Sequence, residues 1–396
     1  MQPLEGIRVL DLSANVAGPT CAMLLGDFGA EVIKVEPPTG DASRRWGSTR
    51  FGVNRSESSV SLAFNRNKQF VSIDLKNPEG TKVLIDLVKT SDVLLENFKT
   101  GVMERLGVGY EQVSKINDRL IYCSISGFGR TGPMKNRPGF DLLMQAYAGQ
   151  LSITGEPGRP AVRIGPSSVD VLTGTMSAYA IAAALREREF SGKGQQIDAS
   201  LYESALLTVS HMIVDYSATK KLSTRWGPFF PFIAPYGIFQ AKDREFYIGI
   251  STDKMWLKFL NEVGWFDLRD DPRFKGTGDR ARNQAELYEV FVPRIKEREA
   301  AEWIAMAEAL DIPCSLIYDL SEVSVQEQAL DRESIVPVMG YEEQAVSVGI
   351  PIKLSRTPAT IRKGSGDLSI DTDRVLAGLG YSAEKIAGLR DSKAIV

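Results

Sequence analysis

The sequence predicts an α/β fold: a large, discontinuous domain on a parallel sheet wound in Rossmann style, with a smaller α+β domain set between its two parts. Three observations predict it. Strand-like and helix-like segments alternate through the first 126 residues. Between 236 and 330 the pattern changes to a hairpin followed by consecutive helices. Beyond Leu330 strand-like pieces return and the chain ends helical.

In order, Ile7 to Leu12 reads as a strand, Gly18 to Gly29 as a small-residue helix and Glu31 to Glu36 as a second strand, a compact βαβ unit. Val71 to Leu75 reads as strand, Pro78 to Lys89 as a helix with Pro at its start, and Val93 to Asn97 and Leu120 to Ser126 as further strands. The small apolar run from Met176 to Leu185 reads as a buried helix, about half of the roughly 20 residues a bilayer span needs. After the turn SGKG (Ser191 to Gly194) come a short strand, Gln196 to Ala199, and a helix from Leu201 to about Ala218. The aromatic, proline-rich RWGPFFPFIAPYG follows, so 201–235 is assigned as linker helix and loop. Gly237 to Thr252 reads as a hairpin about KDRE, then helices near 253–263, 281–296 and 299–310. The strand-like VGIPIKLS and a helix about Asp373 to Leu379 close the chain. The expected domains are 1–200 with 331–396, and 236–330.

Hydrophobic content of 43% and charged content of 24% are those of an ordinary globular chain, which argues against disorder and membrane residence. With 47 basic against 50 acidic residues, a nucleic-acid partner has no electrostatic footprint to read. Glu5, Arg8 and Asp11 interrupt the apolar stretch a signal peptide requires, and Cys21, Cys123 and Cys314 form no CxxC pair; both point to the cytoplasm. The single histidine, His211, removes multi-histidine metal sites and most histidine-dependent catalysis.

GFGRTG at 127–132 matches GxGxxG after a strand. Pro133 and KNRPG follow, so no helix begins there to meet a pyrophosphate, and a glycine loop beside the site is the better reading. Asp170 follows Ser167 and Ser168 at the start of an Ala-, Ser- and Gly-rich helix. Free amides and the helix dipole there would keep a carboxylate ionised. Such a residue is either a plain N-cap or a nucleophile able to attack a thioester carbonyl, and local chemistry leaves both open.

The ordered blocks LEGIRVLDLSANVAGP, GAEVIKVEPPTGD, NRNKQFVSIDLKNPEG, DVLLENFKTGVMERLGVGYE, SGFGRTGP, RPGFDLLMQAYAG and VRIGPSSVDVLTG resemble the class III CoA-transferase family (CaiB/BaiF type), with formyl-CoA and dicarboxylate CoA-transferases among its members. The resemblance spans nearly the whole chain. It implies that Asp170 is the catalytic nucleophile, working through an acyl-aspartyl anhydride and an aspartyl-CoA thioester. It implies that acyl-CoA and a carboxylic acid are the substrates, with no permanently bound cofactor or metal, and that the protein is an interlocked homodimer. CoA would lie against Val16, Ile73, Lys76, Asn97, Phe98, Arg105, Leu106 and Phe140. Asp141 would support the nucleophile or cap a helix.

Val16 and Pro37 stand where formyl-CoA transferases carry Gln and Arg, which turns the expectation toward small dicarboxylates of the succinate, itaconate, mesaconate or malate type. Arg44 and Arg45, with Arg50 in the same loop, could hold a second carboxylate or form an exposed basic loop. An acyl-CoA racemase of the same fold would need a histidine where Phe140 stands. A catalytically silent CoA-binding protein and a CoA-ester hydrolase are the remaining alternatives.

Overall fold

Strands with apolar residues on both faces need cover on both sides, and a parallel sheet supplies it. In a computed structural model, which describes residues 1–52, 56–341 and 345–396, the chain divides into two compact units. The first comprises Met1–Gln150, Ile164–Val214 and Gln326–Val396, the second Leu151–Arg163 and Asp215–Val325.

The first unit carries a six-stranded, all-parallel sheet of β1 (Arg8–Asp11), β2 (Glu31–Glu36), β3 (Lys68–Ser72), β4 (Val93–Glu96), β5 (Ile121–Ser126) and β6 (Gln196–Ser200). Their order across the sheet is β3-β2-β1-β4-β5-β6. The chain reverses its winding between β1 and β4, and open α/β sheets form ligand crevices at the carboxyl ends of the strands flanking such a reversal. One face packs Leu10, Ile33, Val71 and Leu94 against α2 (Pro78–Lys89) and the C-terminal Leu376 and Ile395. The other packs Val9, Val32, Val93 and Cys123 against α1 (Ala17–Asp27) and α4 (Ser168–Ser191); α3 is Asp141–Tyr147 and α5 is Leu201–Thr208.

The C-terminal stretch returns to this unit through Ile395, bridged to Ile73, and Asp371, whose Oδ2 accepts the Phe70 amide at 2.9 Å. The second unit has its own core, with Phe246, Trp256, Phe259, Phe291 and Trp303 fully buried around a three-stranded antiparallel sheet.

Several expectations are corrected. The third strand is Lys68–Ser72 rather than 71–75, because Lys68 is completely buried by an ion pair to Asp11 at 2.8 Å, which hydrophobic patterning does not reveal. The expected 201–218 helix breaks at Val209 into Leu201–Thr208 and Ser210–Thr219. The expected linker divides between the units: Ala205 is buried in the first core, while Ala234 is buried in the second with Phe229 against it. Of VGIPIKLS only Val348 is strand, as the last residue of Val346–Val348, which pairs with Ile335–Pro337. The run around Met176 belongs to a 24-residue helix that passes the length and composition test for a membrane span, and only one face is buried. Tyr179 and Phe190 on its other face are 71% and 73% exposed.

The packing of α4 on α1 fixes the start of both helices. Gly174 makes it possible, since a Cβ there would lie 2.3 Å from the Ala17 carbonyl oxygen and 2.8 Å from Thr20 Cβ. Backbone cannot yield as a side-chain tip can, so Gly174→Ala is expected to cost about 1–3 kcal/mol. Urea unfolding followed by circular dichroism checks this; an unchanged midpoint would mean that the helices part freely.

Candidate active site

Helix α4 starts with orphan amides, as every helix does. Asp141, not Asp170, satisfies them: its Oδ2 accepts the Val169 amide at 2.8 Å and the Asp170 amide at 3.1 Å. Its Oδ1 accepts from Gln145 Nε2, and Gln145 Oε1 in turn accepts the Ile164 amide at 3.0 Å. Of the two roles open to Asp141, the structure thus shows a cap, placed on the helix that carries Asp170. The capping role considered for Asp170 is corrected, because its amides are already taken.

Asp170 sits half-buried in the first turn of α4, and among the described residues neither of its carboxylate oxygens has a hydrogen-bond or ion-pair partner. Burial, then the negative charge of Asp141, pushes its carboxyl up to about 7. This reverses the expectation that helix amides keep it fully ionised. A carboxylate with unengaged lone pairs that still ionises near neutrality is suited to nucleophilic attack.

The cleft around Asp170 encloses about 190 Å³ at the carboxyl ends of β1, β4 and β5, where the strand order reverses. Val16, Asn97, Phe98 and Phe140 line it with Asp170. An adjoining cavity of about 310 Å³, lined mostly by apolar side chains, holds Ile73, Lys76, Leu106 and again Phe98. Phe98 and Ala14 thus stand in the wall of both.

Asn97, in the cleft wall, also has a structural task. Its amide accepts the Ala14 N–H at 2.9 Å and donates to the Ala14 carbonyl at 2.8 Å, clamping the loop after β1 to the end of β4. The glycine loop packs because Gly127 and Gly139 meet backbone to backbone: a Cβ on Gly127 would lie 2.7 Å from Gly139 Cα. Arg130 anchors the same loop, with its amide on Asp198 at 2.9 Å and its guanidinium on Glu96 at 3.0 Å and on Glu104. No helix follows GFGRTG; the next begins at Asp141.

Three expected residues fall outside. Arg105 is exposed on the short helix Val102–Arg105 and lines neither cavity. Arg44 is buried, bonded to both Glu36 oxygens at 2.8 and 2.7 Å, paired with Glu57 and bonded to the Gly366 carbonyl at 3.0 Å. A guanidinium so occupied cannot hold a substrate carboxylate. Arg45 is exposed and donates to the Thr39 carbonyl at 2.6 Å, and Arg50 bonds the carbonyls of its own loop. Among the described residues of that loop, only Trp46 reaches the cleft. His211 is exposed on Ser210–Thr219 and does not line it.

Sequence reasoning missed Trp46, Lys99, Lys135 and Arg137, all of which line the cleft. The signal was present: KNRPGF places two cations immediately before the helix that carries Asp141. Among the described residues Arg137 has no carboxylate partner; its guanidinium donates to Met134 Sδ at 3.3 Å and lies 5.8 Å from the Phe128 ring centre.

The sequence model described as CoA-transferase family III matches residues 4–372. The succinyl-CoA–D-citramalate CoA-transferase of Chloroflexus aurantiacus is 35% identical, the alignment covering 100% of this chain and 98% of that protein. The succinyl-CoA:glutarate CoA-transferase of Homo sapiens is 35% identical over 83% of this chain and 75% of its own. Among solved structures, a CAIB/BAIF family protein from Brucella suis superposes with a TM-score of 0.87 at 33% identity, covering 96% of this chain and 99% of that one.

The raised Asp170 carboxyl has a consequence for stability. Between the ordinary carboxylate range and about 7 the folded chain holds a proton that the unfolded chain has released, so this group makes stability fall as pH rises through that window. Asp170→Asn, which removes the buried charge, should melt higher than the native chain above about pH 7, and the gap should close toward about pH 4. Differential scanning calorimetry across pH checks this; a constant gap would show that Asp170 ionises as in the unfolded chain.

Proposed function

The chain belongs to CoA-transferase family III, and from that premise we propose that it moves CoA reversibly from an acyl-CoA to a carboxylic acid through covalent intermediates on Asp170. The observation that carries the reading is the partner-free Asp170 carboxylate in the cleft where the strand order reverses.

One Asp170 oxygen attacks the thioester carbonyl carbon; the C–S bond breaks, leaving a mixed anhydride and CoA thiolate. The thiolate attacks Asp170 Cγ, forming an aspartyl-CoA thioester and releasing the donor acid as its carboxylate. The acceptor carboxylate then attacks that Cγ and expels the thiolate, which closes the cycle on the acceptor's carbonyl carbon. No proton is gained or lost, so positioning and charge stabilisation suffice without a general base. Val16 and Ala17, at the start of α1 in the cleft wall, offer backbone amides that take no acceptor among the described residues, suited to a developing oxyanion.

CoA is polyanionic with an apolar base and arm. The neighbouring apolar cavity, with Ile73, Phe98 and Leu106 in its wall and exposed Lys76 beside it, suits the nucleotide end. The acid is read as a small dicarboxylate, because relatives across most of the chain are named for citramalate, glutarate and malate. With Arg44 occupied, Arg137 is the better candidate for its second carboxylate, offering a bidentate fork with no acidic partner among the described residues. We also infer a homodimer, since Tyr179 and Phe190 leave an apolar face of α4 exposed in the single chain.

Acyl-CoA donors and acids assayed in pairs, with CoA products identified by mass spectrometry, test the reading. Transfer should vanish in Asp170→Ala, and hydroxylamine trapping should mark the peptide carrying Asp170. Turnover should also fall as pH drops below about 7, where Asp170 takes up its proton. Undiminished transfer by Asp170→Ala would overturn the mechanism. Arg137→Gln should raise KM for a dicarboxylic acceptor about 10- to 100-fold while leaving a monocarboxylic one nearly unchanged. An equal rise for both acids would assign Arg137 to CoA instead.

A further inference from the structure

The loop Ser13–Ala17 is held to an unusual degree by buried side chains. Lys34, fully buried on β2, donates to the Ser13 carbonyl at 2.8 Å and to Asp41 Oδ2 at 3.2 Å. Asp41 accepts the Asn15 amide at 3.2 Å, and Asp11 accepts the Ser13 amide at 3.0 Å together with the Ser13 hydroxyl. Asp11 pairs in turn with buried Lys68 at 2.8 Å. With half-buried Asn97 holding both polar groups of Ala14, five consecutive backbone donors and acceptors of this loop end on polar side chains, three of them on the buried Asp11, Lys34 and Asp41. Asn15 adopts φ of +70°, a left-handed conformation uncommon outside glycine. The next two residues, Val16 and Ala17, line the same cleft as Asp170.

We propose that the Lys34–Asp41 pair is a positioning element for the reaction: it holds the turn at Asn15 so that the Val16 and Ala17 amides point at the acyl group on Asp170. Ion pairs of this kind contribute little net stability against apolar substitutes of the same volume. Here each partner also bonds a backbone group of the loop, and that is what an apolar pair could not replace. The proposal rests on the Asp170 reading, which fails separately if Asp170→Ala still turns over.

Steady-state kinetics on the full chain, with thermal melting in parallel, test it. Lys34→Met is expected to lower kcat about 10- to 100-fold, in the range of losing one oxyanion donor, with KM for acyl-CoA within about twofold of native. Less Asp170 adduct should accumulate in a single turnover. Because Lys34→Met leaves Asp41 buried without its cation, a second variant guards against misfolding: Asn15→Val leaves every charge in place but cannot readily take a positive φ. It should show the same split, kcat falling and KM holding. A folded Lys34→Met enzyme with native kcat, an Asn15→Val enzyme with native kcat, or a loss confined to KM would each overturn the proposal.

Discussion

Asp141 holds the first turn of the Ser168–Ser191 helix through the Val169 and Asp170 amides, and much of the site's chemistry depends on that one carboxylate. A helix start in a cleft needs an acceptor for its amides, and if Asp170 supplied it, its own lone pairs would be engaged. Asp141 takes the structural task from the neighbouring helix. The same arrangement places its negative charge near Asp170 and, after burial, is the second cause of the raised carboxyl. Capping and tuning are thus two effects of one residue.

The remaining buried charge obeys the opposite rule. Asp11 meets Lys68, Asp41 meets Lys34, and Glu36 and Glu57 meet Arg44. Burial alone would strip Lys34 of its proton, yet Asp11 and Asp41 outweigh it and its ammonium is held more firmly than usual. Lys68 is pushed down to about 8, burial exceeding the pull of Asp11. A buried charge without its partner costs several kcal/mol, about 3–5 when one member of a pair is removed. These pairs are therefore fixed features of the scaffold, lying under the strand ends that shape the cleft.

What the sequence made legible follows from how local each signal was. The helix Pro78–Lys89 was read to the residue because Asn77 caps it and Pro78 stands at its first position. Strand β2 was legible because its apolar run ends at turn residues. Lys68 was not, since a lysine in a buried strand makes sense only with Asp11, 57 positions away, in view. Arg44 misled for the same reason: a basic loop and a buried guanidinium clasped by two glutamates have the same local sequence. Asp170 was found by resemblance, and its real surroundings required Asp141, 29 residues upstream and on another helix.

Two aspartates that differ little as amino acids thus do unlike work because of what surrounds them. Asp141 is surrounded by donors, which make its charge useful to the backbone. Asp170 has none among the described residues, and the charge acting on it has the same sign. On the proposed mechanism, surroundings that differ in this way make one carboxylate the support and the other the reactant without any change of residue type. The cost appears as a carboxylate the folded chain would rather keep protonated, a strain on stability above about pH 7. Replacing Asp170 by a neutral residue would relieve that strain, and on the proposed mechanism it would abolish attack as well. On that proposal, the setting that raises its carboxyl is also the one that leaves its lone pairs free for attack.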